Sequence, residues 1–560
     1  MNIATPIEQK EVNSKWVFLA LWIVVFLIYI PEGQSGWVID AAGWIHDMKV
    51  NTFWNFLNRT QSNSQSFYQL FALHYFVFYK LWGLNPWMWS LLYITVQAAN
   101  AFFLFLLCRN LFKDSAIKHG QLIALSGAAI FCVCPHISEV VIWKACSHYL
   151  QGLLFILIIL LWTQKYLHSQ QNKYIWYSAI VFFLSAFGLE IFYLIPFFVL
   201  GLILFYRSAL GVDKQILAKS IKYFILPQLL ILCAYVVAIY LTYKFFRPHK
   251  TEITENLASY LAKPVKYLFH ILFLGRYFSM EMKNRVYSLC QQIPTLVAFY
   301  TILTGLFLYG FAKFKQINIH FKLILLLLFW GMLSLFFVTP LSFPGAELLV
   351  FYDRYTYFSC GFLFMLLALL AAWLAPNKYV LIGLFCVYVD FNLFFTIKVN
   401  TYWIDSDQVI RKLLKTLPEP SGKTVLLLNI PENMNGVPMV GAQPDGIFKA
   451  LKEVYTDTLV PGKIYDVASY NMVADYNGAH VTVINDSVIQ VGLNHMGTWW
   501  WYEGHGAVNY ETPDYKVDFK TKGLLYELTL KHPADNYMLL YSVGEKWKET
   551  DMSLKNKQQD

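Results

Sequence analysis

Residues 87–108 read WMWSLLYITVQAANAFFLFLLC, 22 consecutive positions without a charge. The hydrocarbon core of a bilayer takes about 20 apolar residues per helical crossing. Ten further runs of this kind lie at about 15–31, 120–134, 148–166, 173–188, 190–206, 221–244, 292–312, 322–339, 355–374 and 379–397. The expected fold is therefore a polytopic α-helical membrane protein with eleven crossings. The segment 66–83, SFYQLFALHYFVFYKLWG, is a candidate twelfth crossing or an interfacial helix. The pair 173–188 and 190–206 is expected to form a tight hairpin near Gly188, because a single helix of that combined length, about 51 Å, overshoots one crossing.

Composition agrees. The chain is 57% hydrophobic and 14% charged, where a soluble domain carries about 25% charged residues. Residues 1–399 hold 29 Lys+Arg against 15 Asp+Glu, and residues 400–560 hold 15 against 20. The basic residues flank the apolar runs and form no single stripe, which argues against nucleic acid and for anionic lipid head groups. All eight Cys lie before residue 399, so no disulfide framework is expected after it. They read as small apolar packing residues.

Charge also sets direction. With the N-terminus cytoplasmic and 66–83 on the surface, the cytoplasmic segments hold 15 basic residues, from Lys10 to Lys378, against four acidic ones (Glu8, Glu11, Asp114, Asp213). A twelfth crossing at 66–83 would reverse this bias, so the positive-inside rule favours eleven. Two domains are expected: 1–399 in the lipid and 400–560 as a small, β-rich α+β domain on the extracytoplasmic side. The latter opens with a short helix, DSDQVIRKLLKTL. Strand-like runs follow: TVLLLNI, HVTVI, SVIQVG, YKVDFK, LLYELTL and YMLLYSV, with PENMNGVP as a turn. The run TWWWYEGHG reads as packed core or as a platform for sugar rings.

In this topology the charged residues near the apolar runs gather on the outer side. They are Asp40, Glu139, Glu190, Arg276, Asp353 and Arg354, the last followed by Tyr355. Charge at the membrane is costly and marks functional or paired groups. A carboxylate here can accept a proton from a hydroxyl, and arginines can hold a phosphate leaving group. Each residue also has a structural reading: Asp40 and Glu139 as helix caps, Glu190 as a turn marker, Arg276 snorkelling, and Arg354 paired with Asp353. Asp47 is a rival for Asp40. His136, His148 and His249 read as structural, and Asp390 with Asn392 as a buried hydrogen-bonded pair. No spacing suggests a metal site, and no cofactor is expected.

The order of motifs resembles the GT-C class of membrane glycosyltransferases, which includes protein O-mannosyltransferases, among them the tetratricopeptide-bearing branch, and bacterial aminoarabinose transferases. The resemblance rests on GWVIDAAGWI with Asp40, LWGLNPWMW, PHISEVVIW with Glu139, GLEIFYLIP with Glu190, and DRYTYF with Arg354, Tyr355 and Tyr357. Three positions depart from the family's pattern: Pro-His stands in place of His-Pro, Leu189 replaces a Lys, and Ala41 follows Asp40. The resemblance covers about residues 15–375 and implies an inverting transferase with a polyprenyl-phosphate-linked sugar as donor. It also implies Asp40 as general base; Glu139, Glu190, Arg276, Asp353, Arg354 and Tyr355, gathered on the outer side, are the candidates for donor or acceptor binding. The expected partners are that donor, membrane lipids, and a glycan, lipid or protein acceptor. A bacterial inner membrane is the expected location. Two other classes fit the sequence: a transporter or flippase for a lipid-linked glycan, and a non-catalytic assembly protein.

Overall fold

The computed structural model describes residues 13–64, 67–188, 190–210, 213–243, 257–313, 317–338, 353–375, 377–419, 422–440, 447–456, 460–472, 476–494, 498–500, 509–520 and 525–552. The chain forms two compact units. The first comprises residues 1–33, 53–142 and 146–397, and the second residues 34–52, 143–145 and 398–560.

In the first unit each of the eleven apolar runs contains helix among its described residues. Among the described residues, eight helices are long and apolar enough to cross a membrane: Ser14–Glu32, Pro86–Asp114, Lys144–Ser169, Lys214–Thr242, Ile293–Gly310, Ile319–Phe336, Asp353–Leu374 and Lys378–Thr416. The other three runs are shorter or broken. Gly120–Cys132 bends by 54° into Pro135–Ile142. Pro135 has no N–H to donate and disfavours a helical residue before it. The carbonyl of Val133, left without a helical partner at this break, accepts from Thr396 Oγ1 at 2.5 Å. The run 173–188 gives the 13-residue helix Lys173–Ser185, and the next gives the helix Ile195–Leu210 behind a 3-10 turn. Segment 66–83 holds the 14-residue helix Gln69–Trp82, about 21 Å long and short of the roughly 30 Å hydrocarbon thickness.

Small residues let these helices approach. A Cβ on Gly127 would lie 2.4 Å from Met365 Sδ, and one on Gly331 2.7 Å from Leu363 Cδ2, the close packing expected of apolar helices that gain little from burying apolar surface. A buried polar bolt adds direction. Asn100 Nδ2 donates to Leu150 O and to Tyr357 Oη, both at 2.9 Å, and Tyr357 Oη donates to Gln97 Oε1 at 2.5 Å. The expected Asp390–Asn392 pair does not form. Asp390 is exposed, while buried Asn392 donates to Tyr388 O at 2.8 Å. Residues two apart on a helix point to different faces.

The second unit is β-rich. Strands Thr424–Leu427, Tyr537–Val543 and Ile464–Asp466 pair in parallel with Thr424–Leu427 in the middle, and Lys546–Glu549 closes one edge antiparallel. The uninterrupted apolar run of that central strand suits a parallel strand covered on both faces. Five antiparallel strands form a second sheet, from Ala479–Asn485 to Tyr510–Glu511. A third sheet contains Ile430–Met434 and Val437–Pro438. The stretch expected as a plain turn is thus a hairpin. Asn435 (φ 52°) and Gly436 (φ 81°) make its tip, as a right-twisted two-residue connection requires. Trp499 is buried against Tyr526 at 5.1 Å between ring centroids, so it serves the core; residues 501–508 lie outside the described residues.

DSDQVIRKLLKTL is not a separate helix. It ends the 39-residue helix Lys378–Thr416, because no Gly or Pro interrupts the chain between Gly383 and Pro418.

Two glycines offer a contrast. A Cβ on Gly478 would meet backbone, 2.5 Å from Ser542 O, whereas one on Gly305 meets nothing within 4 Å. Gly478→Ala is expected to lower stability by about 1–3 kcal/mol, and Gly305→Ala to leave it unchanged or raised. Thermal unfolding of the two detergent-solubilised variants checks this.

Candidate functional site

Three short irregular segments of the first unit supply a buried polar cluster. The break after Val133 yields the 3-10 turn Pro135–Ile137 and the short helix Ser138–Ile142, which place His136 and Glu139 in the interior. The turn Asp353–Thr356 precedes the helix Tyr357–Leu374, and Thr356 Oγ1 donates to Asp353 O at 2.7 Å. The helix Leu257–Phe273 ends at Leu274, which is left-handed (φ 51°), and the turn Gly275–Tyr277 presents Arg276. Gly275 has a steric role, since a Cβ there would sit 3.2 Å from both His270 Nδ1 and Tyr287 Oη.

The ion pairs run crosswise. Glu139 Oε1 accepts from Arg354 at 2.5 Å, and its Oε2 accepts from the Arg354 backbone N–H at 3.0 Å. Asp353 does not pair with its neighbour Arg354, as its sequence position suggested. Its Oδ2 accepts from Arg276, and its Oδ1 meets His270 Nε2 at 2.6 Å and His136 Nδ1 at 3.2 Å. His270 Nδ1 in turn faces Tyr287 Oη at 3.3 Å. The Arg354 guanidinium lies over the Tyr355 ring, 4.9 Å from its centroid, a cation–π contact. Among these six charged or imidazole side chains Arg354 is the most exposed, at 14%, while Asp353, His136 and His270 are at 0%.

Burial, then the adjacent His136, pushes His270 down to about 4, so it is neutral near pH 7. Burial also opposes charge on Arg276, but the Asp353 carboxylate more than offsets this and holds it above the ordinary range. Burial and then Arg276 lower Lys283 to about 8. The cluster therefore joins two carboxylates, two guanidinium groups and a nearby ammonium in one buried place.

Of the sequence candidates, Glu139, Arg276, Asp353, Arg354 and Tyr355 come together here. Glu190 opens the 3-10 turn Glu190–Leu194, and its side chain lies outside the described residues. His249 lies outside them as well. His148 packs edge-on to Phe71, with ring centroids 5.2 Å apart. His136 belongs to the cluster, and His270, Tyr287 and Lys283 join it without having been singled out in the sequence. His270 stands six residues before Arg276, a spacing with no diagnostic value.

Asp40 belongs to the second unit. It is exposed and opens the helix Asp40–Val50, which also carries Asp47. The preceding Ile39 has φ 45° and ψ −119°, a conformation costly for a β-branched residue and typical of sites that constrain their backbone. Within the same unit, neighbours hold this segment. Trp143 Nε1 donates to Val38 O at 2.9 Å and Lys144 N to Gly36 O at 3.0 Å. His46 pairs with buried Glu453, Lys49 Nζ donates to Glu453 O at 3.1 Å, and Glu453 Oε1 accepts from Val460 N at 3.0 Å. A second network ties the same region together: Asp407 accepts from Arg411 Nε at 2.5 Å and from Tyr455 Oη at 2.6 Å.

No protein-family model matches the chain, and no curated protein matches it.

Asp353→Asn leaves buried Arg276 without its carboxylate and is expected to cost about 3–5 kcal/mol, read as a lower unfolding midpoint. Glu453→Ala is expected to cost about 1–3 kcal/mol. Hydrogen exchange should then rise specifically over residues 40–50, whereas uniform loss of protection would assign Glu453 a general role.

Proposed function

We propose that this chain is an integral membrane glycosyltransferase of the GT-C type, which moves a sugar from a polyprenyl-phosphate carrier to an acceptor hydroxyl on the extracytoplasmic face. The observation that carries the reading is the crossed pair of ion pairs. Arg354–Glu139 and Arg276–Asp353 gather two guanidinium groups about the adjacent residues 353 and 354, Arg354 being the more exposed of the two. Guanidinium groups recognise phosphate through paired N–H donors and stabilise charge that develops on a leaving oxygen. Long apolar helices support a multi-pass membrane location, and the basic bias of alternate loops supports a cytoplasmic N-terminus.

In the proposed reaction a general base takes the proton of the acceptor hydroxyl, whose oxygen attacks the anomeric carbon; the family resemblance is what proposes Asp40 for that role. The bond from that carbon to the phosphate oxygen breaks, and its electron pair leaves on the carrier phosphate. Arg354, positioned by Glu139, stabilises the departing charge, and one displacement inverts the anomeric centre. Exposure of Asp40 and the constrained backbone at Ile39 support its role as base.

The test uses the full chain in vesicles, polyprenyl-phosphate donors labelled in the sugar, and mass spectrometry of the products. Transfer of label from lipid to acceptor is expected. Asp40→Asn should reduce it about 10²–10⁴-fold, and Arg354→Ala about 10²–10³-fold, with both proteins still folded. Intact donor moved between leaflets with its sugar attached would replace this reading with a flippase.

A further inference from the structure

We propose that His136, His270 and Asp353 form a binding site for a zinc-class divalent cation whose fourth ligand is an oxyanion. Among the described residues, His136, His270 and Asp353 bring ligand-type atoms within 4.8 Å of one another. They come from three different elements and are fully buried. Asp353 Oδ1 lies 2.6 Å from His270 Nε2 and 3.2 Å from His136 Nδ1. Zinc bonds of about 2.0–2.1 Å to nitrogen and oxygen space tetrahedral ligands by roughly 3.4 Å, so modest side-chain shifts admit the ion. Two imidazoles and one carboxylate oxygen are a donor set that zinc accepts.

The surroundings orient two of the three ligands, His270 and Asp353, while the buried His136 Nε2 has no hydrogen-bond partner among the described residues. His270 ligating through Nε2 carries its proton on Nδ1, which then donates to Tyr287 Oη, 3.3 Å away. Arg276 occupies Asp353 Oδ2 and leaves Oδ1 as a single ligand atom. The two rings lie 4.5 Å apart, tilted by 48°, and both point a nitrogen at that one oxygen. Two imidazoles that simply donate to Oδ1 are the rival arrangement; metal uptake separates the two.

Charge balance determines the fourth ligand. Asp353 and Glu139 are already matched by Arg276 and Arg354, so a divalent cation adds buried positive charge that needs an anion beside it. A phosphate oxygen meets this need. If the glycosyl-transfer reading holds, the carrier phosphate is its source; free phosphate has the same chemistry.

The test is zinc titration of the full chain, purified in detergent without a histidine tag and stripped with chelator, with and without inorganic phosphate. One equivalent per chain is expected, bound at least about tenfold more tightly with phosphate, and His136→Ala and His270→Ala should each weaken it at least about tenfold. Wild-type protein that takes up no zinc in either condition overturns the site. Unchanged affinity in folded His270→Ala overturns it as well, and affinity indifferent to phosphate overturns the anionic ligand. Cobalt substitution in the wild-type protein needs no variant. Ligand-field bands without thiolate charge transfer are expected; a thiolate band would assign the metal to a cysteine such as Cys134 or Cys360 instead. These measurements read binding and not sugar transfer, so their failure is distinct from failure of the proposed reaction.

Discussion

The Asp353 carboxylate is the group on which the interior of the first unit depends. It is fully buried, and an isolated buried carboxylate costs far more than a fold can supply. Arg276 on one oxygen and two imidazoles on the other remove that cost. To provide them, the chain must break one helix at Pro135, end another at Leu274 and begin a third after Thr356. The irregular backbone of the unit is thus the condition for its polar centre. Glu139 and Arg354 repeat the arrangement one residue along, and their attachment through both side chain and backbone fixes the direction of the guanidinium.

Much of the helical architecture was legible in the sequence because apolar runs of the required length have few other solutions. The strands of the second unit were legible for a similar reason, since alternation in HVTVI, YKVDFK and LLYELTL matches a period of two. What pattern could not show was anything set by contacts distant in sequence. The pairing of Thr424–Leu427 with Tyr537–Val543 is parallel and needs a long crossover. The hairpin at Asn435–Gly436 hid inside a segment rich in turn formers. The helix Lys378–Thr416 was divided at the point where its residues change from apolar to polar, although nothing in its backbone chemistry stops it there.

The site was legible as an inventory and illegible as a pairing. Charges beside apolar runs marked Glu139, Arg276, Asp353 and Arg354, because each is costly to keep there. Sequence proximity then suggested Asp353 with Arg354, yet adjacent residues in a tight turn diverge and each finds a partner elsewhere. His270 carried no signal at all: a histidine in an apolar helix usually only fills space, and its role depends on a carboxylate 83 residues away. The inclusion of residues 34–52 in the second unit was equally hidden, because the contacts that hold them, from Trp143, Lys144 and Glu453, are all distant in sequence.

That link has a consequence for biosynthesis. His46 and Glu453 are 407 residues apart. At about 5–20 residues per second a ribosome needs roughly 20–80 seconds to traverse that interval. The nascent helix that bears Asp40 must wait this long for the partner of His46 to be made. A translation product stopped before residue 453 would keep the bonds from Trp143 and Lys144 to Val38 and Gly36 and still lack the partner of His46.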